Sequence, residues 1–378
     1  MGMSRILLIV VNDPRFFLSH RLEIAQSARS NGYIVNIASM GGEGVDTIRG
    51  LGFLHHDLPF SRSGKSPVKE FFTLYFIWRL LWKLKPDLLH LVTIKPVLYG
   101  GIAARLAPVG GVVAAVSGLG FVFLSRGTKS MALRKLVVFL YKVAFGKRNL
   151  KVIFQNADDR DMLISLGVLK KARTALIRGS GVNLSHYESR FENPGTPIVC
   201  MASRLLHDKG IVEYIDAARL LRARGVDATF QLIGDVDPGN PATINFDELQ
   251  LWKKEGVVQI LGFRKDIANL FANAHIVTLP SYREGLPKVL VEAAACGRAV
   301  VTTDVPGCRD AIEPGETGLL VPVQDAEALA DALALLITDS TVRRKMGNAG
   351  RLLAEREFSI EKIVQQHLDI YRDLELNV

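Results

Sequence analysis

Ala274-His275-Ile276-Val277-Thr278-Leu279-Pro280-Ser281-Tyr282-Arg283-Glu284-Gly285-Leu286-Pro287-Lys288-Val289-Leu290-Val291-Glu292-Ala293 decides the fold, because it reads in one pass as a buried strand, a turn and a helix. The run up to Leu279 is almost wholly apolar, as a strand covered on both faces must be. Pro287 suits the first helical position, where a missing N–H costs nothing. Apolar residues then recur at Val289, Leu290, Ala293 and Ala294 with helical spacing. Glu284 falls in the turn, and Glu292 lies further along the helix, leaning back towards its start.

A helix start opened by Gly285 presents backbone N–H groups that attract phosphate and sugar oxygens. Carboxylates beside an anion site repel the anion, so they make chemical sense there as ligands of neutral hydroxyls. Amides for phosphate and acids for hydroxyls together describe a pocket for a nucleotide-sugar. The bare spacing of two glutamates also suits ordinary helix N-terminal charges favoured by the macrodipole.

Outward from this segment the chain alternates strand and helix throughout. In the first half, strands are expected at Ile6–Val11, Val35–Ala38, Leu88–Leu91, Val112–Val116 and Val152–Gln155. Helices intervene at about Arg21–Ser30, Pro67–Lys83, Leu98–Leu106 and Lys129–Ala144. A second series starts after Asn193-Pro194-Gly195-Thr196-Pro197, and a last helix runs from Ile360 to Leu374. Alternation of this kind gives parallel sheets covered by helices, the α/β class. The 378 residues suffice for two such domains. We expect an N-terminal domain over 1–187, a second over 188–359, and a final helix at 360–378 that crosses back to the first. Doubly wound sheets bind ligands at the carboxyl ends of their strands, so the expected site is the cleft between the two domains.

Charge divides unevenly. Residues 1–187 carry 26 Lys+Arg against 10 Asp+Glu, and the remainder carries 21 against 28. No nucleic-acid motif accompanies the basic half, so a nucleic-acid partner is not expected. Arg126 to Lys151 holds eight basic residues and no acid, interleaved with Leu133, Leu136, Phe139 and Leu140. Phe71 to Lys85 repeats the theme with Phe72, Tyr75, Phe76, Trp78 and Trp82. Basic, aromatic-rich helices suit the interface of an anionic membrane surface; they also suit packing on a sheet with a solvated basic face, and core packing is the default for Trp78, Trp82 and Phe139. Leu106 to Leu124 is uncharged and of near-spanning length, but Pro108 and several glycines make it loop, strand and loop. Cys200, Cys296 and Cys308 form no spaced cluster. The N-terminus opens on a strand without the features of a signal peptide. The expected location is cytoplasmic, peripheral on the inner face of the cytoplasmic membrane.

Ala202-Ser203-Arg204-Leu205-Leu206-His207-Asp208-Lys209-Gly210 joins the first strand of the second series to its helix. Arg204 and Lys209 would project from that turn, where fixed cations stabilise a leaving diphosphate more than the bound substrate. Surface cations on a strand-to-helix turn are the plain alternative. Leu261-Gly262-Phe263-Arg264 ends another strand.

Together these stretches resemble family 4 of the retaining glycosyltransferases, whose signature is Glu, seven residues, Glu, with Gly-Leu/Phe-Pro after the first acid. The resemblance runs nearly end to end and implies the GT-B fold of two facing Rossmann-like domains. It makes Glu292 the ribose ligand and places Glu284, Gly285, Leu286 and Pro287 around the donor sugar. It has Arg204 and Lys209, followed by Gly210, clasp the diphosphate, and puts Gly262, Phe263 and Arg264 beside the base, which we take as uracil. The stretches Thr93–Pro96, Ser117–Phe121, Arg178–Val182 and Asp304–Arg309 are similar to a narrower bacterial group that adds N-acetylhexosamines to polyprenyl-diphosphate-linked saccharides. Retention follows from the family, with no covalent nucleophile evident.

Two Asp-x-Asp triplets, Asp235-Val236-Asp237 and Asp159-Arg160-Asp161, imitate metal sites of other glycosyltransferases. Arg204 and Lys209 already supply the cations, and Asp158–Asp161 reads as the charged start of a helix capped by Asn156. No metal and no cofactor beyond the UDP-sugar co-substrate are expected. The first domain is expected to bind the acceptor; His20, His90 and Lys95 lie at its strand ends, and the Ser117 position holds a His in many relatives, but none receives a role. The expected function is transfer of a sugar, an N-acetylhexosamine, from a UDP-sugar to a polyprenyl-diphosphate-linked saccharide in O-antigen, capsule or glycan precursor assembly. The alternatives are another GT-B enzyme (a phosphorylase or UDP-sugar epimerase) and a non-catalytic sugar- or nucleotide-binding module.

Overall fold

The structure, a computed structural model, describes residues 5–60, 67–119 and 128–376. The chain separates into two compact units, one formed by residues up to Ser180 with those from Glu361 onward, the other by Gly181–Ile360. Residues 181–187, expected with the first domain, thus belong to the second: Val182 bridges Ser359, and the Tyr187 hydroxyl reaches Glu292. Gly179 and Gly181, with φ of 79° and 80°, mark the passage between the units.

The first unit is built on seven parallel strands: β1 (Arg5–Val10), β2 (Tyr33–Ser39), β3 (Leu54–Asp57), β4 (Leu88–Val92), β5 (Gly111–Val116), β6 (Leu150–Phe154) and β7 (Thr174–Leu176). Their order in the sheet is β3-β2-β1-β4-β5-β6-β7, which reverses direction between β1 and β4. The central strands β4 and β5 are buried along their whole length, as their predominance of Leu, Val and Ala requires, with His90 the polar exception in β4. One face is covered by α1 (Pro14–His20), α2 (Leu22–Ser30) and α3 (Val45–Gly50). The other is covered by α4 (Pro67–Leu84), α5 (Ile94–Ala104), α6 (Thr128–Ala144) and α7 (Ala157–Ser165). Helix α7 starts at an Asn156 side chain that accepts from Asp159 N at 2.8 Å, so the acidic triplet there is a capped helix start.

The second unit has six parallel strands: β8 (Ile198–Ala202), β9 (Thr229–Ile233), β10 (Gln259–Gly262), β11 (Ile276–Leu279), β12 (Ala299–Thr303) and β13 (Gly318–Val321). The order is β10-β9-β8-β11-β12-β13, reversing between β8 and β11. Around one continuous core pack α8 (Ile211–Ala223), α9 (Phe246–Glu255), α10 (Ile267–Asn273), α11 (Lys288–Ala295), α12 (Ala326–Thr338) and α13 (Ser340–Leu353). A single π-helical turn over Ala354–Phe358 follows α13. The last helix, α14 (Ile360–Glu375), returns to the first unit, where Ile363, Leu368, Ile370, Tyr371 and Leu374 join the core beneath β1, β2 and β4.

Two expectations need correction. Pro287 is the N-cap of α11, with an extended ψ of 117°, and the helix begins at Lys288. Helix α5 starts at Ile94 and not at Leu98, because Pro96 falls in a first turn where its lack of an N–H is harmless.

Candidate functional site

In the second unit the residues singled out in the sequence gather on loops at the carboxyl ends of the strands. The loop after β8 carries Arg204 and tightens into a 3-10 turn over His207–Lys209. Gly210 follows at φ +75°, and any Cβ there would collide with the Pro280 carbonyl, so only glycine lets the β8 and β11 loops touch. The contact is then fixed by hydrogen bonds. Tyr282 N donates to Asp208 O at 2.9 Å, and Ser281 Oγ lies 3.1 Å from the same oxygen. The loop after β12 closes the third side: Glu284 N donates to Pro306 O at 3.2 Å, and Gly307 at φ +83° leaves room for the Glu284 carbonyl.

These close approaches bring Lys209 and Glu284 together. The ammonium donates to Glu284 Oε1, and Ser281 Oγ donates to the same oxygen at 2.8 Å. Both side chains are only 16% exposed, so the pair lies in a recess and not on the open surface. Asp208 stands beside them with a buried Oδ1 that has no hydrogen-bond partner. Burial raises the Asp208 carboxyl and Glu284 adds to the effect, while Lys209 and Arg204 oppose it. Cys308 is buried near Glu284, and burial pushes its thiol up to about 12, so it is an inert packing group.

Arg204 is more open, at 60% side-chain exposure, and its Nη1 lies 2.9 Å from Asp237 Oδ2. Asp237 is thereby the partner of a cation. Asp235 accepts from Val236 N at 2.9 Å. Among the described residues no group of three or more His, Cys, Asp or Glu is arranged to hold a metal ion.

Glu292 occupies a separate position on α11. It is 8% exposed; its Oε1 accepts from the Tyr187 hydroxyl at 2.6 Å and lies 3.5 Å from Lys288 Nζ. Burial raises the carboxyl, and Lys288 and Tyr187 pull it back. The phenol is raised in turn by its own burial and by the Glu292 charge. Tyr187 was not foreseen: it lies 105 residues from Glu292, and nothing local marks it. Gly285 follows Glu284 in the turn, and Leu286 is 7% exposed and part of the core, so its side chain serves packing. Gly262 ends β10 at φ +67° with its carbonyl accepting from Gly234 N at 2.9 Å. Phe263 is 69% exposed, and Arg264 is paired with Asp266 at 2.6 Å.

The first unit treats its candidates differently. His90 is wholly buried in the middle of β4, with Nδ1 2.6 Å from the Tyr371 hydroxyl and its ring 5.6 Å from that of His367, so it is a core residue. His20 stacks on Phe16 at 4.1 Å and meets Ser19 Oγ at 2.7 Å. Lys95 pairs with Glu70 at 2.8 Å. Ser117 and Gly118 follow β5 directly, while Gly120, Phe121 and Arg126 lie outside the described residues. Thr93, the N-cap of α5, holds φ +72°, a conformation a β-branched residue avoids.

Comparison with known proteins agrees with this fold. The family profile described as glycosyl transferases group 1 matches residues 186–353, and that described as glycosyl transferase 4-like matches residues 5–156. The chain is 30% identical to the N,N'-diacetylbacillosaminyl-diphospho-undecaprenol alpha-1,3-N-acetylgalactosaminyltransferase of Campylobacter jejuni, over 96% of this chain and 99% of that one. It is 26% identical to the UDP-Gal:alpha-D-GlcNAc-diphosphoundecaprenol alpha-1,3-galactosyltransferase of Escherichia coli, over 82% of each. Sucrose-phosphate synthase from Thermosynechococcus elongatus shares the fold at a TM-score of 0.81 and 22% identity, covering 99% of this chain and all of that one. A glycosyltransferase from Rickettsia africae does so at 0.77 and 20%, covering both chains fully. Two parallel Rossmann-like sheets, a Glu284–Glu292 signature on the β11–α11 turn and end-to-end similarity lead to one assignment: the chain belongs to the family 4 glycosyltransferases and has the GT-B fold.

Proposed function

We propose that this glycosyltransferase moves an N-acetylhexosamine from a UDP-sugar to a polyprenyl-diphosphate-linked saccharide, with retention at the anomeric carbon and without a metal ion. The observation that carries the reading is the recessed Lys209–Glu284 pair, held by the loops after β8 and β11 where the sheet order reverses. That is where doubly wound sheets take nucleotide ligands. Lys209 and Arg204 supply the charge for the donor diphosphate. Glu284 and the backbone of Gly285, Leu286 and Pro287 line the sugar, Glu292 accepts from the ribose hydroxyls, and Phe263 and Arg264 border the base.

Lys209 is held by Glu284 and Arg204 by Asp237. Donor binding exchanges these carboxylates for phosphate oxygens, which frees Glu284 for a sugar hydroxyl. Cations fixed by the loops then stabilise the charge that grows on the leaving diphosphate, at no cost of reorganisation. The leaving phosphate takes up the acceptor proton on the same face, which gives retention without a covalent intermediate. The relatives act on undecaprenyl-diphosphate saccharides by name, and the basic first unit suits an acceptor of that charge at the inner face of the cytoplasmic membrane. No described helix is long and apolar enough to cross a membrane.

Incubating the protein with UDP-N-acetylgalactosamine and a GlcNAc-diphospholipid tests this. UDP release together with a lengthened lipid saccharide is the expected result. UDP-sugar binding without turnover, across a panel of donors and acceptors, would replace the reading with a binding module.

A further inference from the structure

Helix α4 is apolar on two sides, and only one of them is used by the fold. Thr73, Ile77 and Leu81 form the buried stripe, at 1%, 0% and 0% exposure. The opposite face presents Phe71, Phe72, Tyr75, Phe76 and Trp82 to the outside, with Phe71 67% and Trp82 48% exposed. These positions share one helical face with Arg79 and Lys83, which are also exposed. A helix apolar all round is ordinarily buried on all sides, and a contiguous exposed aromatic surface marks a contact with something else.

The neighbouring surface continues the pattern. Helices α4, α5 and α6 lie in a row over one face of the sheet. Trp78 Nε1 and Trp82 Nε1 both donate to the Leu106 carbonyl at 3.1 Å. Both indoles thus have their polar atom satisfied from within, and Leu106, 70% exposed, is held beside them. On α6, Met131, Leu136 and Phe139 are exposed among Lys135 and Lys142. The only acid in the described part of these two helices, Glu70, is half-buried and paired with Lys95.

We propose that this face of the first unit enters an anionic leaflet, with the α4 aromatics in the acyl boundary and Arg79, Lys83, Lys135 and Lys142 at the headgroups. The inference rests on the membrane attachment proposed above and adds apolar insertion to it. Charge selects the occupant. A second copy of the chain would set lysines and arginines against their own kind, whereas anionic headgroups complement them. Aromatic side chains on a cationic face are the composition of an interfacial helix, which lies in the membrane plane with its apolar side immersed.

The full-length chain, the triple variant Phe71→Ser/Phe72→Ser/Trp82→Ser, and Trp82→Phe are compared on vesicles of phosphatidylglycerol and phosphatidylcholine. Wild type is expected to bind at low salt and to keep most of its binding at about 0.5 M salt, where surface electrostatics are screened. The triple variant is expected to bind at low salt but to lose at least about tenfold more affinity at high salt. Lipids brominated near the headgroup should quench wild-type tryptophan fluorescence, and Trp82→Phe should lose most of that quenching. Turnover of a water-soluble, short-chain acceptor should be equal in all three, which separates this inference from the transfer reaction. Full release of wild type by salt with no quenching overturns insertion while leaving electrostatic attachment. Absence of binding to any vesicle at low salt overturns both. A lipid-free dimer abolished by the triple variant assigns the face to self-association and overturns the proposal.

Discussion

Lys209 gives its ammonium to Glu284 across two loops that lie 75 residues apart in the chain. On the proposed reading, in which Lys209 also meets the donor diphosphate, Glu284 competes with phosphate for the same cation. Glu284→Gln removes the competitor. It should tighten binding of UDP, measured by calorimetry, while lowering turnover because the sugar loses its carboxylate partner. Weaker UDP binding in this variant would separate the pair from the diphosphate site.

Arg204→Ala and Lys209→Ala should each lower turnover by about tenfold to a hundredfold. Charge-assisted hydrogen bonds contribute on the order of 1.5–3 kcal/mol, and about 1.4 kcal/mol is a factor of ten in rate. Steady-state kinetics with the matched donor and acceptor decide this, and wild-type rates in both variants would remove them from the site. The same assay in excess EDTA should lose nothing; loss of activity would return attention to Asp235 and Asp237.

Glu292 makes a prediction in which stability and binding move in opposite directions. Burial raises its carboxyl in the folded chain. The cost of the buried charge is absent below the unfolded value of about 4.3 and grows as pH rises through it. Glu292→Gln should therefore raise Tm at neutral pH, with the gain shrinking as pH falls to about 4. On the proposed contact of Glu292 with the ribose hydroxyls, UDP affinity should fall by about tenfold or more in the same variant. A variant that loses stability at pH 7 would show that the Tyr187–Glu292–Lys288 contacts outweigh burial.

In the first unit the sign reverses. His367 is lowered to about 3 by burial, and His90 is lowered well below its ordinary value by the same cause, with Arg21 and, for His90, His367 adding to it. Both stay neutral when folded and take up protons when unfolded. Stability should thus decline as pH falls from about 6.5, by up to about 1.4 kcal/mol per pH unit for each histidine. Urea midpoints between neutral pH and about pH 4 measure the slope. His367→Phe should flatten it, and an unchanged slope would assign the acid sensitivity to other groups.

Charge reversal at Arg134, Lys135 and Lys142, with Lys129 included, should weaken binding to phosphatidylglycerol vesicles at low salt and leave UDP affinity intact. Each basic side chain near the leaflet contributes about 1 kcal/mol. Vesicle sedimentation beside UDP calorimetry separates the two effects.

Much of the second unit was legible. Strand β11 ends at Leu279, where its apolar run places it, and α11 starts one residue after the position expected from Pro287, because each is set by its own residues against one core. Edge strand β3, Leu-His-His-Asp with a half-exposed pattern, carries no such run and exists only because β2 pairs with it. The site followed the same division. The Glu284 turn could be read locally, whereas Arg204 with Asp237 and Glu292 with Tyr187 are pairings across 33 and 105 residues that only the closed sheet creates. Exposure was the other blind point. Trp82 and Phe139 read as core by residue type, and the structure leaves them outside.

Helix α14 sets the order in which this protein can mature during synthesis. Tyr371 and Leu374 complete the core beneath β1, β2 and β4, yet they are synthesised only after the whole of the second unit. The second unit, continuous from Gly181 to Ile360, has all its strands in hand before them. The first unit starts earlier and must wait, one face of its sheet covered only in part by α1, α2 and α3, until α14 emerges. The domain translated first is therefore the one finished last.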